Sequence, residues 1–369
     1  MDFTISETQR ELGGLTRQIL TDQVTPTRLR AVEDTGVHFD RELWRALADA
    51  GVLSACLPDT VGGGGLDLLE QCSILIELGR AVAPVPYLES VALAAAAVSY
   101  FGTEAQRSTW AVPASTGELL LTVALTEDLV DSPEAPATRA ERTSSGWVIN
   151  GAKAVVPSGT VADAFLIPAS TDGAGAVFIV RADDAGLSIE GQRLVDGDTA
   201  ASLDLSSVEI GPERHLGGPD LLHWLVARAT VGECALQLGV LERALELTAA
   251  YAREREQFGR PIGSFQAVAQ RLADAYIDVE AVRLTLWEAA WRVSEGLPST
   301  AEIATAKFWA SDAGHRVAHT AVHIHGGTGI DVDAPLHRYF VAAKRSEFTL
   351  GSATAQLRRL GAELAATPA

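Results

Sequence analysis

Apolar positions recur at helical spacing over the first third of the chain, break into short runs near residue 117, and return to helical spacing from about Asp220. In the first part, Phe39, Leu43 and Leu47 lie four apart and mark one helix face, with Gly51 placed to end that helix. Ser6 precedes a helical pattern that opens at Glu7. Pro58 and the run Gly62, Gly63, Gly64 and Gly65 predict a loop, and a helix over 66–83 is broken by Pro84 and Pro86. The runs 119–125, 146–149, 164–168, 176–180 and 201–208 are rich in Val, Ile and Leu and separated by Gly, Asp, Ser and Pro, as in a small β barrel or sandwich. This part ends near Gly217, Gly218 and Pro219. Beyond it, Val268, Leu272, Ala275, Val279, Val282, Leu286 and Ala289 alternate steps of four and three, the seam of a bundle helix. Ser299 and Glu302 predict a capping box for the next helix, which Gly326 and Gly327 close. A last helix is predicted over 352–365. Three domains follow: helical over 1–116, β over 117–219 and a helical bundle over 220–369.

Composition narrows the partners. Of 369 residues 47% are apolar and 21% charged, enough for a folded core. The net charge of −19 argues against nucleic acid or an anionic membrane as partner, so an anionic ligand must be met by a local basic patch. Cys56, Cys72 and Cys234 are far apart and odd in number, which suits a reducing cytoplasm and not a disulfide frame or zinc knuckle. The N-terminus has no basic start and no apolar core, so no signal peptide is expected, and the apolar run around Val91–Val98 is too short to span a bilayer.

One stretch departs from the bland background. Residues 251–266 gather Arg253, Arg255 and Arg260, break at Gly259 and Pro261, and restart at Ser264, Phe265 and Gln266. A helix end, a turn and a helix start with cationic and amide side chains suit a phosphate-rich ligand. On charge alone, however, the preferred reading is a solvated helix end with arginine at its C-terminus. His315, His319 and His323 are four apart, and His325 follows, but no HExxH and no nearby Cys supports a metal site. The four glycines lack a following Gly-Lys-Ser/Thr, so they form no P-loop. Neither GxSxG nor a Rossmann GxGxxG is present.

Motifs add what periodicity leaves open. Phe39 to Trp44, Leu53 to Pro58 and Val61 to Leu66 come first. Then come Arg255-Glu256-Gln257-Phe258-Gly259-Arg260-Pro261-Ile262, Phe265-Gln266, and Val322-His323-Ile324-His325-Gly326-Gly327-Thr328-Gly329. Together with the domain order they resemble the acyl-CoA dehydrogenase family of flavoenzymes over essentially the whole chain. The resemblance implies an α+β multidomain fold: an N-terminal helical domain, a middle β-barrel or sandwich domain and a C-terminal four-helix bundle. In that family FAD is held across a subunit interface. Carried over, Arg255, Gln257 and Phe258 would meet the pyrophosphate of a neighbour's FAD, and Gln266, His323, Gly326 and Gly327 would line its nucleotide end. His323 stands where many relatives have Gln.

The family removes an α-proton from an acyl-CoA with a carboxylate and passes the β-hydride to the flavin. Relatives keep that carboxylate in a Tyr-Glu-Gly-Thr run, where this chain has Thr349-Leu350-Gly351-Ser352. Others keep it upstream of the arginine motif, where this chain has Ala229 and Thr230. Glu347 and Glu233 are each about a turn away, a displacement of about 5 Å. No catalytic residue and no metal ligand is therefore assigned. Val155 and Pro157 replace the family's flavin-contacting Trp and Thr, and Thr126-Glu127-Asp128-Leu129-Val130-Asp131-Ser132 departs from its Thr-Glu-Pro run. What serves a neighbour's FAD is kept, and what serves the chain's own flavin ring is lost. This resembles the base-lacking subunit of actinobacterial α2β2 enzymes that act on steroid side-chain thioesters. The expected partner is a homologous subunit carrying the glutamate, with an acyl-CoA as substrate. The alternatives are a homotetramer using Glu233 or Glu347, and a non-catalytic acyl-CoA-binding or scaffold subunit.

Overall fold

A computed structural model describes residues 4–366. Its helices begin with α1 (Glu7–Gln23), α2 (Pro26–Asp34), α3 (Arg41–Asp49) and α4 (Leu68–Ala81). A π-helical stretch, Tyr87–Ala95, runs into α5 (Ala96–Phe101), and two short helices follow, α6 (Glu104–Gln106) and α7 (Val112–Ser115). The strands are β1 (Leu121–Val123), β2 (Arg139–Arg142), β3 (Trp147–Pro157), β4 (Ala164–Thr171), β5 (Ala174–Arg181), β6 (Leu187–Arg193), β7 (Thr199–Ile210) and β8 (His215–Gly217). Then come α8 (Pro219–Glu254), β9 (Glu256–Gln257), β10 (Arg260–Pro261), α9 (Gln266–Ser294), α10 (Thr300–His325), α11 (Leu336–Phe348) and α12 (Ala353–Ala366). The chain forms two compact units. One takes residues up to Arg28, Leu68–Ala83 and Thr230 onward, and the other Leu29–Asp67 and Pro84–Ala229.

The helical unit joins distant parts of the sequence. α4 is buried from Gln71 through Gly79, and its backbone crosses that of α8 at two glycines. A Cβ on Gly79 would lie 2.1 Å from the carbonyl oxygen of Leu236, and one on Gly239 would lie 1.9 Å from that of Ile76. Beside this crossing Arg80 donates to Glu242 and Glu246, both at 2.7 Å, and Glu242 also meets Arg283 at 2.6 Å, so α4, α8 and α9 share one ionic network. The seam expected on α9 is present, with Ala275, Val279, Val282, Leu286 and Ala289 buried. α8 is long and apolar enough to cross a membrane by length and composition, but 78% of that apolar window is buried inside the protein, which fits a core helix.

Two local expectations change. Ser299 does precede α10, but its side chain makes no cap hydrogen bond. Its backbone sits at φ −138° and ψ 1°, and Glu302, the other half of the box, instead faces Arg292 at 3.3 Å. An ion pair across the turn between α9 and α10 has taken the carboxylate that the cap needed. Between α10 and the last helix lies α11, whose register the apolar pattern did not signal.

In the second unit, Asp40 caps α3 by accepting from the N–H groups of Glu42 (3.1 Å) and Leu43 (3.0 Å). Phe39 then lies outside the helix and meets Trp44 edge-on at 6.1 Å, a hydrophobic staple. The four-glycine run is a turn that uses its own amides: Gly63, Gly64 and Gly65 donate to the carbonyls of Pro58, Ser54 and Leu57. The strands form one sheet in the order β6-β7-β3-β2-β4-β5-β8, with β1 beside β4. Its apolar cluster includes Ile149, Phe165, Ile167, Phe178, Leu203 and Val208, from β3, β4, β5 and β7.

This unit also buries charge. Lys153 on β3 is fully buried and bonds Glu127 at 2.5 Å. Glu127 further accepts from the backbone of Ala137 (2.6 Å) and Thr138 (3.1 Å). Burial pushes the carboxyl up, but the Lys153 ammonium and these hydrogen bonds outweigh it and hold Glu127 below the ordinary carboxylate value.

Candidate functional site

The arginine-rich stretch folds as a small hairpin between two long helices. The N–H of Arg255 still bonds the carbonyl of Tyr251 (2.8 Å), the last turn of α8. β9 and β10 then pair antiparallel, Gln257 opposite Arg260 and Glu256 opposite Pro261. The two tip residues, Phe258 at φ +55° and Gly259 at φ +74°, match a type I′ turn. Glycine takes this conformation freely, while a bulky aromatic rarely does. Phe258 is nonetheless held there, with its side chain 93% exposed. Such an arrangement costs energy in the isolated chain.

The neighbouring groups brace the hairpin. Ile262 donates its N–H to the carbonyl of Arg255 (2.8 Å). Arg260 lies over the ring of Phe265 at 4.2 Å, and that ring meets Phe258 edge-on at 6.2 Å. A short turn, Ile262–Ser264, leads into α9, whose start carries no side-chain cap. Arg255, Gln257 and Gln266 are all exposed. The Gln257 amide is turned onto the carbonyl of Glu256 (2.8 Å).

The second predicted segment closes α10. Gly326 ends it at φ +63° and ψ −137°, and a Cβ on Gly326 or Gly327 would meet nothing within 4 Å. The backbone is open to approach there. His323 is exposed one turn earlier. A depression of about 860 Å³ runs along α9 and α10, lined among others by Ala267, Gln270, Arg271, Thr320 and His323. The structure thus brings the start of α9 and His323 to one surface. Of the predicted site residues only His323 lines this depression, where Arg271 supplies a guanidinium; Arg255, Gln257, Phe258, Gln266, Gly326 and Gly327 lie outside its lining. An uncapped helix start, exposed guanidinium groups and open glycine backbone are each chemically suited to an anionic diphosphate.

The other histidines are occupied differently. His315 Nδ1 lies 3.3 Å from Glu347 and 3.1 Å from the Lys344 ammonium. His319 packs edge-on against Phe340 at 5.4 Å. Burial, with His315 and Lys344 nearby, lowers the pKa of His319 below the ordinary imidazole value.

The positions where a base would be sought are apolar or engaged. Leu350 sits at φ +57° in the turn after α11. Ala229 and Thr230 are buried in α8. Glu347 is ion-paired with Lys344 as well as facing His315. On the sheet, β3 is irregular between Lys153 and Val156, and Val155 bulges out at φ +51° and is 42% exposed. The Val155 N–H donates to Gln192 Oε1 (3.2 Å). Pro157 has no N–H to offer.

Comparison with known proteins adds to this geometry. Residues 6–118 match the family model described as acyl-CoA dehydrogenase, N-terminal domain, and residues 224–365 match acyl-CoA dehydrogenase, C-terminal domain. The acyl-CoA dehydrogenase FadE27 of Mycobacterium tuberculosis is 49% identical, with 100% of both chains covered. Among solved structures, a chain of the ChsE4-ChsE5 complex from Mycobacterium tuberculosis superposes with a TM-score of 0.97 at 50% identity, covering 100% of both chains. A chain of the Tcur3481-Tcur3483 steroid ACAD gives 0.92 at 44% identity, covering 99% of this chain and 100% of its own. Butyryl-CoA dehydrogenase from Megasphaera elsdenii gives 0.91 at 28% identity, with 99% and 100% covered.

Proposed function

This chain belongs to the acyl-CoA dehydrogenase family, whose cofactor is FAD, and on that premise we propose that it is one subunit of a heteromeric acyl-CoA dehydrogenase. One contrast carries the reading. The hairpin that would reach a neighbour's cofactor is built and presented, with Phe258 exposed at its tip, while Leu350 stands where the family resemblance would put the base. Arg255 would hold the pyrophosphate, with Gln257 and Phe258 beside it. Gln266, His323, Gly326 and Gly327 would receive the nucleotide end. When bound, FAD supplies the hydride acceptor for α,β-dehydrogenation of the thioester. This chain's part is to bind and orient. The glutamate that takes the α-proton would come from a homologous partner subunit, in an α2β2 assembly of three-domain chains working in the cytoplasm. Likeness to the ChsE4-ChsE5 complex and to a steroid ACAD supports a heteromer and a steroid side-chain acyl-CoA as substrate.

Native mass spectrometry of the chain co-expressed with a homologous subunit tests this. The expected assembly holds two copies of each subunit and two FAD. Stoichiometric FAD and acyl-CoA oxidation by the chain alone would refute it. A related expectation concerns the base. Leu350→Glu in the isolated chain leaves dye-linked acyl-CoA oxidation at background, because a carboxylate does not restore what Val155 and Pro157 fail to offer. Turnover by that variant alone would show that the cleft needs nothing but a base.

A further inference from the structure

Two segments carry the proposed FAD contacts, and one pair of rings joins them. Tyr251 lies one turn before Arg255 on α8, and His325 is the last residue of α10, directly before Gly326 and Gly327. Their rings are stacked, with centroids 4.3 Å apart and planes 21° from parallel. Both side chains are half-buried.

The imidazole is fixed from its other side as well. His325 Nδ1 is 2.9 Å from the carbonyl oxygen of Ala321, so that nitrogen carries the proton and donates it. Burial lowers the pKa of this imidazole below the ordinary value, outweighing the Ala321 bond, which raises it. The next residues are equally constrained. The Gly326 N–H returns to the carbonyl of Val322, Thr328 Oγ1 donates to the carbonyl of His325 (3.0 Å), and a Cβ on Gly329 would meet Val322 at 2.9 Å. The glycine turn is therefore rigid relative to His325. The hairpin is likewise rigid relative to Tyr251, through the Arg255 N–H to Tyr251 bond and the Ile262 N–H to Arg255 bond.

We propose that the Tyr251–His325 stack is a positioning device that sets the separation of Arg255 from the Gly326-Gly327 turn, so that one dinucleotide can be gripped at its pyrophosphate and its nucleotide end together. This rests on the FAD half-site proposed above. Neither ring has to touch the cofactor. Their work is to remove a degree of freedom before binding, which lowers the ordering cost that binding would otherwise carry.

The test is FAD affinity of the co-expressed complex, read by flavin fluorescence titration after removal of bound cofactor. His325→Ala and Tyr251→Ala should each raise the FAD Kd about threefold to tenfold, the range an aromatic pair contributes. His325→Phe, which keeps a planar ring of similar size but loses the Nδ1 bond to Ala321, should recover most of the affinity that His325→Ala loses. The double alanine variant should be no worse than either single one, since both remove the same contact. Complex mass and melting temperature are followed in parallel. If His325→Phe loosens FAD as much as His325→Ala, or if the two alanine effects add, the stack is not the device. Arg255→Ala separates the two levels of the argument. If it leaves FAD affinity unchanged, the half-site itself is misplaced; if it abolishes binding while His325→Ala does not weaken it, only the positioning role fails.

Discussion

Replacing Arg255 by alanine strips FAD from the assembled complex while leaving this chain folded and assembled. The guanidinium is exposed, so its removal leaves no cavity, and surface changes of this kind stay within about 0.5 kcal/mol of the parent in stability. Its expected partner is an ionised diphosphate, to which an arginine fork donates two parallel bonds. Bonds to charged groups contribute about 1.5–3 kcal/mol each, so FAD affinity should fall by at least tenfold and by more than a hundredfold if both are lost. Arg255→Lys should rescue only in part, because an ammonium cannot reproduce the fork. Flavin absorbance after desalting, set against circular dichroism and native mass, checks all three statements. Full FAD occupancy in the alanine variant would count against the whole assignment.

Lys153→Met destabilises the β-rich unit by about 3–5 kcal/mol, since it leaves the Glu127 carboxylate buried without its counter-ion. The two backbone N–H groups that Glu127 also accepts place the loss toward the lower end. Urea unfolding followed by tryptophan fluorescence measures it, and a loss below about 1 kcal/mol would show that water reaches the pair. The pH dependence has a definite sign. Glu127 is held below its ordinary value of 4.5, so its contribution is fully present above pH 4.5 and is lost as pH falls through the lower folded value. The stability difference between the parent and Glu127→Gln should therefore shrink as pH falls below 4.5, while in the alkaline range it also reflects Lys153, whose pKa Glu127 raises. Burial moves the Lys153 ammonium from 10.5 to about 8, and between those limits the unfolded chain holds a proton that the folded chain has released. Stability arising from this group accordingly rises with pH across that window.

Much of the architecture could be read from apolar spacing. Leu43 and Leu47 are fully buried, as their interval of four implied, and the α9 seam follows its alternating steps. Strands with a strong apolar run, such as β4 and β5, were visible for the same reason. β2 and β6 were not, because Arg139–Arg142 and Leu187–Arg193 are largely polar and owe their conformation to pairing with β3 and β7. The hairpin at the candidate site was hidden differently. Phe-Gly is an unusual type I′ pair, and strands of two residues show no alternation. Nor did charge alone favour the site. Its three arginines read as an ordinary helix end, and only the residues between them, compared with a family, point to a diphosphate. The residues proposed for the half-site lie on the surface, so burial within one chain leaves no mark of them.

The crossing of α4 and α8 at Gly79 and Gly239 sets an order of events during synthesis. α1 and α4 leave the ribosome first, yet the helices that cover them follow the whole of the β-rich unit. At ordinary elongation rates that interval lasts roughly ten to thirty seconds. During it the sheet, whose strand pairings all lie within residues 121–217, has its sequence in hand and can fold. α1 and α4 can cover one another, but the face of α4 that meets α8 and α9 has to wait uncovered. A nascent chain stopped short of Thr230 is thus a folded sheet carrying sticky helices, and chaperone capture should be strongest over that span of translation.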